Sequence, residues 1–171
     1  LEGAIAARHG VLDVLINNAG TRGYLTSITQ EPESVVSELF AVHCVGALRA
    51  TRGALPFLRK SRRGLVVNVT SRFGSIARTA AGDFTGGDYS YSYRVSKAAQ
   101  NMLTLCLSQE LRSDGIAVCA VHPGRLQTDS GPPDPEMSAK EGAERLADWV
   151  LAADASVDGG YFELDSGRSQ W

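Results

Sequence analysis

Tyr93 and Lys97 stand four residues apart in Tyr93-Arg94-Val95-Ser96-Lys97, and a phenol beside an ammonium can move a proton. At helical spacing the two lie one turn apart on the same face. The cation favours the phenolate and so lowers the phenol's pKa. A tyrosine in that setting can give a proton to a carbonyl-derived oxygen, or take one from it. The same spacing also arises by chance on solvated helix faces, so the pair takes its meaning from what the rest of the chain places around it.

The chain alternates short β-rich runs with long helical patterns, as a parallel α/β sheet requires. Residues 1–9 read as the end of a helix stopped by Gly10, and residues 12–17 as a strand buried on both faces. Thr29 and Glu31-Pro32 open a long helix, with proline early, where its missing N–H costs nothing. Its apolar stripe is Val35, Val36, Leu39, Val42, Val45 and Leu48, and it ends near Leu58. Gly64 starts a second strand, Leu65 to Val69, and residues 72–92 carry glycine and aspartate and read as loop. A second long helix follows. Its pattern predicts Val95, Ala98, Ala99, Met102, Leu103, Leu105, Cys106 and Leu111 mostly on the core side, with Gly115 as the stop. Ile116 to Val121 form a third strand, broken by His122-Pro123-Gly124. Residues 129–137, with Pro132, Pro133 and Pro135, read as loop, 138–153 as a helix and Tyr161 to Leu164 as the last strand.

In open parallel sheets, ligands bind beyond the carboxyl ends of the strands. Asn17 to Gly20 follow the first strand, Thr70 and Ser71 the second, and His122 to Thr128 the third. Tyr93 and Lys97, near the start of their helix, can face the same crevice. Each polar cluster therefore falls where a ligand would sit.

The 171 residues fit one domain, 1–171, with a core of real size. A formal net charge of −2 speaks against nucleic acid or an anionic membrane as the main partner. Arg59, Lys60, Arg62 and Arg63 gather at a predicted helix end, where cations complement the macrodipole. No apolar run is long enough to span a bilayer, and no secretory segment is visible. Cys44, Cys106 and Cys119 lie in apolar stretches without disulfide or metal-ligand spacing, which points to a reducing, cytoplasmic setting. His9 and His122 read as solvated or backbone-bonded. Three scattered histidines predict no metal site.

Several segments match one family in order. Gly10 to Gly20, ending Asn17-Asn18-Ala19-Gly20, resembles the strand-four signature of the short-chain dehydrogenases/reductases. Gly64 to Ser71 resembles that family's strand ending in the catalytic serine, Tyr93 to Lys97 its active-site segment, and Pro123-Gly124-Arg125-Leu126-Gln127-Thr128 its Pro-Gly-x-x-x-Thr loop. The tail from Gly159 to Trp171 and the insert between Ser71 and Tyr93 are most like the sniffer-like and C-signal-like carbonyl reductases. The resemblance implies a Rossmann-like, doubly wound parallel sheet, here its carboxyl-terminal portion, strands four to seven.

It also implies a chemistry: hydride transfer between nicotinamide and a carbonyl or alcohol substrate. Ser71 would hydrogen-bond the carbonyl and stabilise the oxyanion. Tyr93 would be the proton donor or acceptor, and Lys97 would depress its pKa and hold the nicotinamide ribose. Asn17, Ala19 and Gly20 would run beside the cofactor, and Pro123, Gly124, Leu126 and Thr128 would flank its nicotinamide end. The cofactor would be NADP or NAD, with NADPH favoured by the resemblance. Asn17 and Asn18 have a second reading as sheet-bonding residues. Thr70, and more distantly Ser75, compete with Ser71. Tyr89, Tyr91 and Phe84 suggest an apolar substrate mouth. The family's long helices often pair, so a homo-oligomer stays open.

Two departures stand out. The family's helix-borne asparagine, thought to anchor a water behind the lysine, is His43 here, in Val42-His43-Cys44-Val45-Gly46; it reads either as an altered relay or as a structural core histidine. The glycine-rich turn and the first strand of the family are absent, so residues 12–17 would form an apolar sheet edge. The chain, which begins at Leu1, reads as the carboxyl-terminal portion of a longer reductase, with natural truncation the second choice. The competing function is a cofactor-free remnant acting as a signalling or interaction module.

Overall fold

A computed structural model describes residues 2–23, 26–84, 90–129 and 134–171. Tyr89, Pro132 and Pro133 lie outside the described residues. Helix α1 (Glu2–Arg8) leads to strand β1 (Val14–Asn17); α2 (Glu33–Phe40) runs through a π-turn (Ala41–Val45) into α3 (Gly46–Leu58). Strand β2 (Leu65–Val69), a 3₁₀ turn (Arg72–Gly74), short helix α4 (Ile76–Ala80) and long helix α5 (Tyr91–Leu111) follow. Then come β3 (Ala117–His122), β4 (Leu126–Gln127), β5 (Met137–Ser138), α6 (Ala139–Ala152), β6 (Tyr161–Glu163) and β7 (Gly167–Ser169).

The main sheet has the order β1-β2-β3-β6-β7, parallel except for β7, which returns antiparallel against β6. This is the expected Rossmann-like α/β architecture. The central strands are buried throughout and feed two cores by period-2 alternation. Val66 and Val118 face Ala54 and Leu58 of α3 and Leu107 and Leu111 of α5. Leu65, Val67, Cys119 and Val121 face the other way, onto Val150 of α6 and Val157. Ser138 caps α6 in a reciprocal capping box with Glu141. At the far end, Arg63 donates to the carbonyls of Val150, Leu151 and Ala153 at 2.7–3.1 Å. One member of the basic run thus satisfies a helix C-terminus, although the helix is α6 rather than its own.

Four expectations are corrected. Strand β1 is not buried on both faces: it pairs with β2 alone, and Ile16 is 41% exposed. Residues 72–92 are not all loop, because Ser71 and Ser75 each accept a backbone N–H and start the 3₁₀ turn and α4. Residues 129–137 do not all form a loop, because Met137 pairs with Leu126 across β5 and β4. The largest correction concerns α5. Val95 and Met102 are more than half exposed and Cys106 is exposed, whereas Ser92, Ser96, Lys97, Gln100, Asn101 and Thr104 are buried. The helix turns its polar face inward because strand β2 and the residues just past it present polar partners there.

Candidate active site

Those partners begin with the asparagines of the sheet. Asn17 and Asn68 are in register across β1 and β2, and the Asn17 Nδ2 donates to Asn68 Oδ1 at 2.8 Å and to Thr51 Oγ1 at 3.3 Å. Asn68 Nδ2 donates in turn to Thr104 Oγ1 at 2.9 Å. One residue past β2, Thr70 Oγ1 donates to Asn101 Oδ1 at 2.6 Å, and Asn101 Nδ2 donates to the Gly74 carbonyl at 3.0 Å. Gly74 lies so close to α5 that a Cβ there would come within 2.9 Å of Lys97 atoms. These contacts lock α5 against the strand ends, and the side chains of Asn68, Thr70, Asn101 and Thr104 all find partners in them.

Beyond the strand ends lies a cavity of ≈ 230 Å³. Ser71, Tyr93 and Lys97 line one part of its wall, and Gly20, Pro123, Gly124, Leu126 and Thr128 line another. Asn17 is not on this wall: its side chain is committed to Asn68 and Thr51, the sheet-bonding reading. Ala19 is exposed beside the cavity but not on its wall, whereas Asn18 is on it. Thr70 lines the cavity with its hydroxyl proton given to Asn101, and Ser75 is turned away to the Gln170 carbonyl, whereas Ser71 meets the Tyr93 phenol on the cavity wall. Phe84 stacks edge-on to Phe73 with Arg94 over both rings, away from the cavity wall.

The electrostatics differ from the simple expectation. Burial raises the Tyr93 pKa, opposed by a hydrogen bond from the Ser71 hydroxyl to its phenolic oxygen. Lys97 is 4% exposed, donates to the Val69 carbonyl at 2.8 Å and to Gln100 Oε1 at 3.0 Å, and has its pKa pushed down to about 7 by burial. Desolvation thus outweighs the expected depression of the Tyr93 phenol. His122 also departs from expectation. It is buried on the cavity wall, its Nδ1 has no partner among the described residues, and burial holds its pKa down to about 4. Gln100, a glutamine mid-helix, carries no motif that would mark it in the sequence.

The cavity suits the nicotinamide end of a dinucleotide. A cation is buried there on two carbonyl oxygens with no carboxylate, leaving donor capacity for ribose hydroxyls. Gly124, at φ 98°, presents bare backbone to the wall. The alternative of a cofactor-free interaction module draws no support from such a wall. Among the described residues no cluster of His, Cys, Asp and Glu could hold a metal ion, and no helix is long and apolar enough to cross a membrane.

Comparison with known proteins agrees with this fold. The family model for short chain dehydrogenases matches residues 2–138, and the chain belongs to that family. It is 33% identical over 162 residues to C-signal of Myxococcus xanthus, covering 95% of this chain and 94% of that protein. It is 35% identical over 138 residues to fluoren-9-ol dehydrogenase of Terrabacter sp. (strain DBF63), covering 72% of this chain and 37% of that one. Among solved structures it is similar to the NADPH-bound carbonyl reductase from chicken fatty liver, with TM-score 0.86 and 27% identity. It is similar too to the carbonyl reductase Sniffer of D. melanogaster, with TM-score 0.89 and 25% identity. Each covers 99% of this chain, which spans 71% of each of them.

Proposed function

We propose that this chain carries the carbonyl-reducing site of a cytoplasmic, NADP(H)- or NAD(H)-dependent oxidoreductase that interconverts a small carbonyl compound and its alcohol. The observation that supports this reading is the hydroxyl of Ser71 bonded to the Tyr93 phenol on one cavity wall, with the buried Lys97 beside them. A nicotinamide, when bound, supplies or accepts the hydride. Lys97 would hold its ribose, and Gly20, Pro123, Gly124, Leu126 and Thr128 its nicotinamide end. Ser71 donates to the substrate oxygen and stabilises the charge that develops on it. Tyr93 gives that oxygen its proton in reduction and takes it back in oxidation. A raised phenol pKa keeps Tyr93 protonated and suits it to reduction. NADPH is the favoured nucleotide, given the NADPH-bound relative.

The test is oxidation of NADPH and NADH by the purified natural protein with aldehydes, ketones and quinones. Turnover with at least one carbonyl is expected, and Ser71→Ala should lower it about 10²–10³-fold. Turnover unaffected by Ser71→Ala would remove the serine from the mechanism.

A further inference from the structure

His43 occupies the place where an asparagine was expected, and its surroundings are specific. It lies inside the π-turn, where the Gly46 N–H reaches back to the Ala41 carbonyl, and the widened turn carries its imidazole to complete burial. The Thr21 backbone N–H donates to Nε2 at 3.1 Å. Nε2 is therefore the acceptor, and the ring proton is on Nδ1. Nδ1 lies 2.9 Å from Ser96 Oγ, which itself donates to the Tyr93 carbonyl at 2.9 Å. The donor directions run one way through the chain, from Thr21 to His43, to Ser96, to Tyr93. The imidazole also stands edge-on to the Tyr93 ring at 5.6 Å and 88°. A Cβ on Gly20 would come within 3.2 Å of Nε2, so the loop sits directly on the ring. No hydrogen bond runs from His43 to Lys97; the lysine ammonium is taken up by Gln100 and Val69 instead.

We infer that His43 is a positioning residue that fastens the cofactor-side loop, Gly20-Thr21, to the helix carrying Tyr93 and Lys97, while Gln100 takes over the anchoring of the lysine. The two walls of the cavity are thereby held at one spacing. Its consequence for nucleotide binding rests on the function proposed above; the bonding itself does not.

Imidazole ¹⁵N NMR and amide exchange on the protein without nucleotide test the bonding. The expected result is a neutral Nδ1–H tautomer and a Thr21 amide that exchanges up to about tenfold more slowly than in His43→Leu, the worth of one hydrogen bond. His43→Gln, which keeps an acceptor near Nε2, should restore the Thr21 protection; His43→Asn, which keeps a donor near Nδ1, should not. An Nε2–H tautomer in the wild type overturns the inference without any variant, and so does equal Thr21 exchange in all four proteins. With an active enzyme, His43→Leu should raise the KM for NADPH more than it lowers kcat, and His43→Gln should recover the KM. A fall in kcat alone would assign His43 to the chemistry instead. A protein with no reductase activity but the expected tautomer and exchange would refute the proposed function and leave the fastening intact.

Discussion

Helices α3 and α5 pack against the same face of the sheet, Ala54 and Leu58 from one and Leu107 and Leu111 from the other. Along α3 the buried positions are Ala47, Thr51, Ala54, Phe57 and Leu58, the stripe that amphipathic periodicity predicts. In α5 only the last turns behave that way. From Ser92 to Thr104 its buried face is polar, and Val95 and Met102 face outward. One helix is held by apolar area, the other in its first half by a network that must be satisfied atom by atom. A helix that presents a phenol and an amine to a cavity cannot also bury a hydrophobic stripe at those positions. The sheet compensates with Asn17, Asn68 and Thr70.

The sharpest break in that contrast should come from Leu58→Ala, which removes a fully buried side chain of the apolar helix. A loss of about 2–5 kcal/mol in urea unfolding is expected. Next comes pH. Burial holds both His43 and His122 near pKa 4, below their ordinary 6.5, with the field of Lys97 adding to the effect on His43. The unfolded chain takes up those protons first. The contribution of these two histidines is therefore whole above about pH 6.5 and falls towards pH 4, by about 1.4 kcal/mol per pH unit for each group. Urea melts between pH 7 and 4.5 measure it, and His43→Gln should remove about half of the slope. Thr104→Val keeps the shape of the polar helix but strands Asn68 Nδ2, at a cost of about 1–3 kcal/mol. The smallest effect should follow Val95→Gln, within about 0.5 kcal/mol, since this apolar side chain buries little. A larger loss there would mean that α5 is anchored by its outer face after all.

These two helices also mark how far the sequence could be read. Strands β2 and β3, buried on both faces, declare themselves as continuous apolar runs. The clusters at their ends follow from the rule that ligands gather there, which is how Ser71 and Pro123-Gly124 were found. The face of α5 was misread because periodicity counts apolar side chains and is blind to a buried network of hydroxyls and amides. Asn17 was assigned to the cofactor because a motif names a position, whereas the partner of its side chain depends on strand register. Gln100 and Ser96 escaped for the same reason: each matters only through a neighbour on another element. The π-turn that rotates His43 inward leaves no mark in composition.

The central claim is that Tyr93, supported by Ser71 and Lys97, moves the proton that accompanies hydride transfer. Its most direct test is single-turnover reduction of a carbonyl acceptor by Tyr93→Phe in the natural protein, with NADPH binding and the melting temperature measured alongside. A fall of about 10²–10⁴-fold in rate with binding and melting retained is the predicted result. A rate equal to that of the wild type would contradict the account.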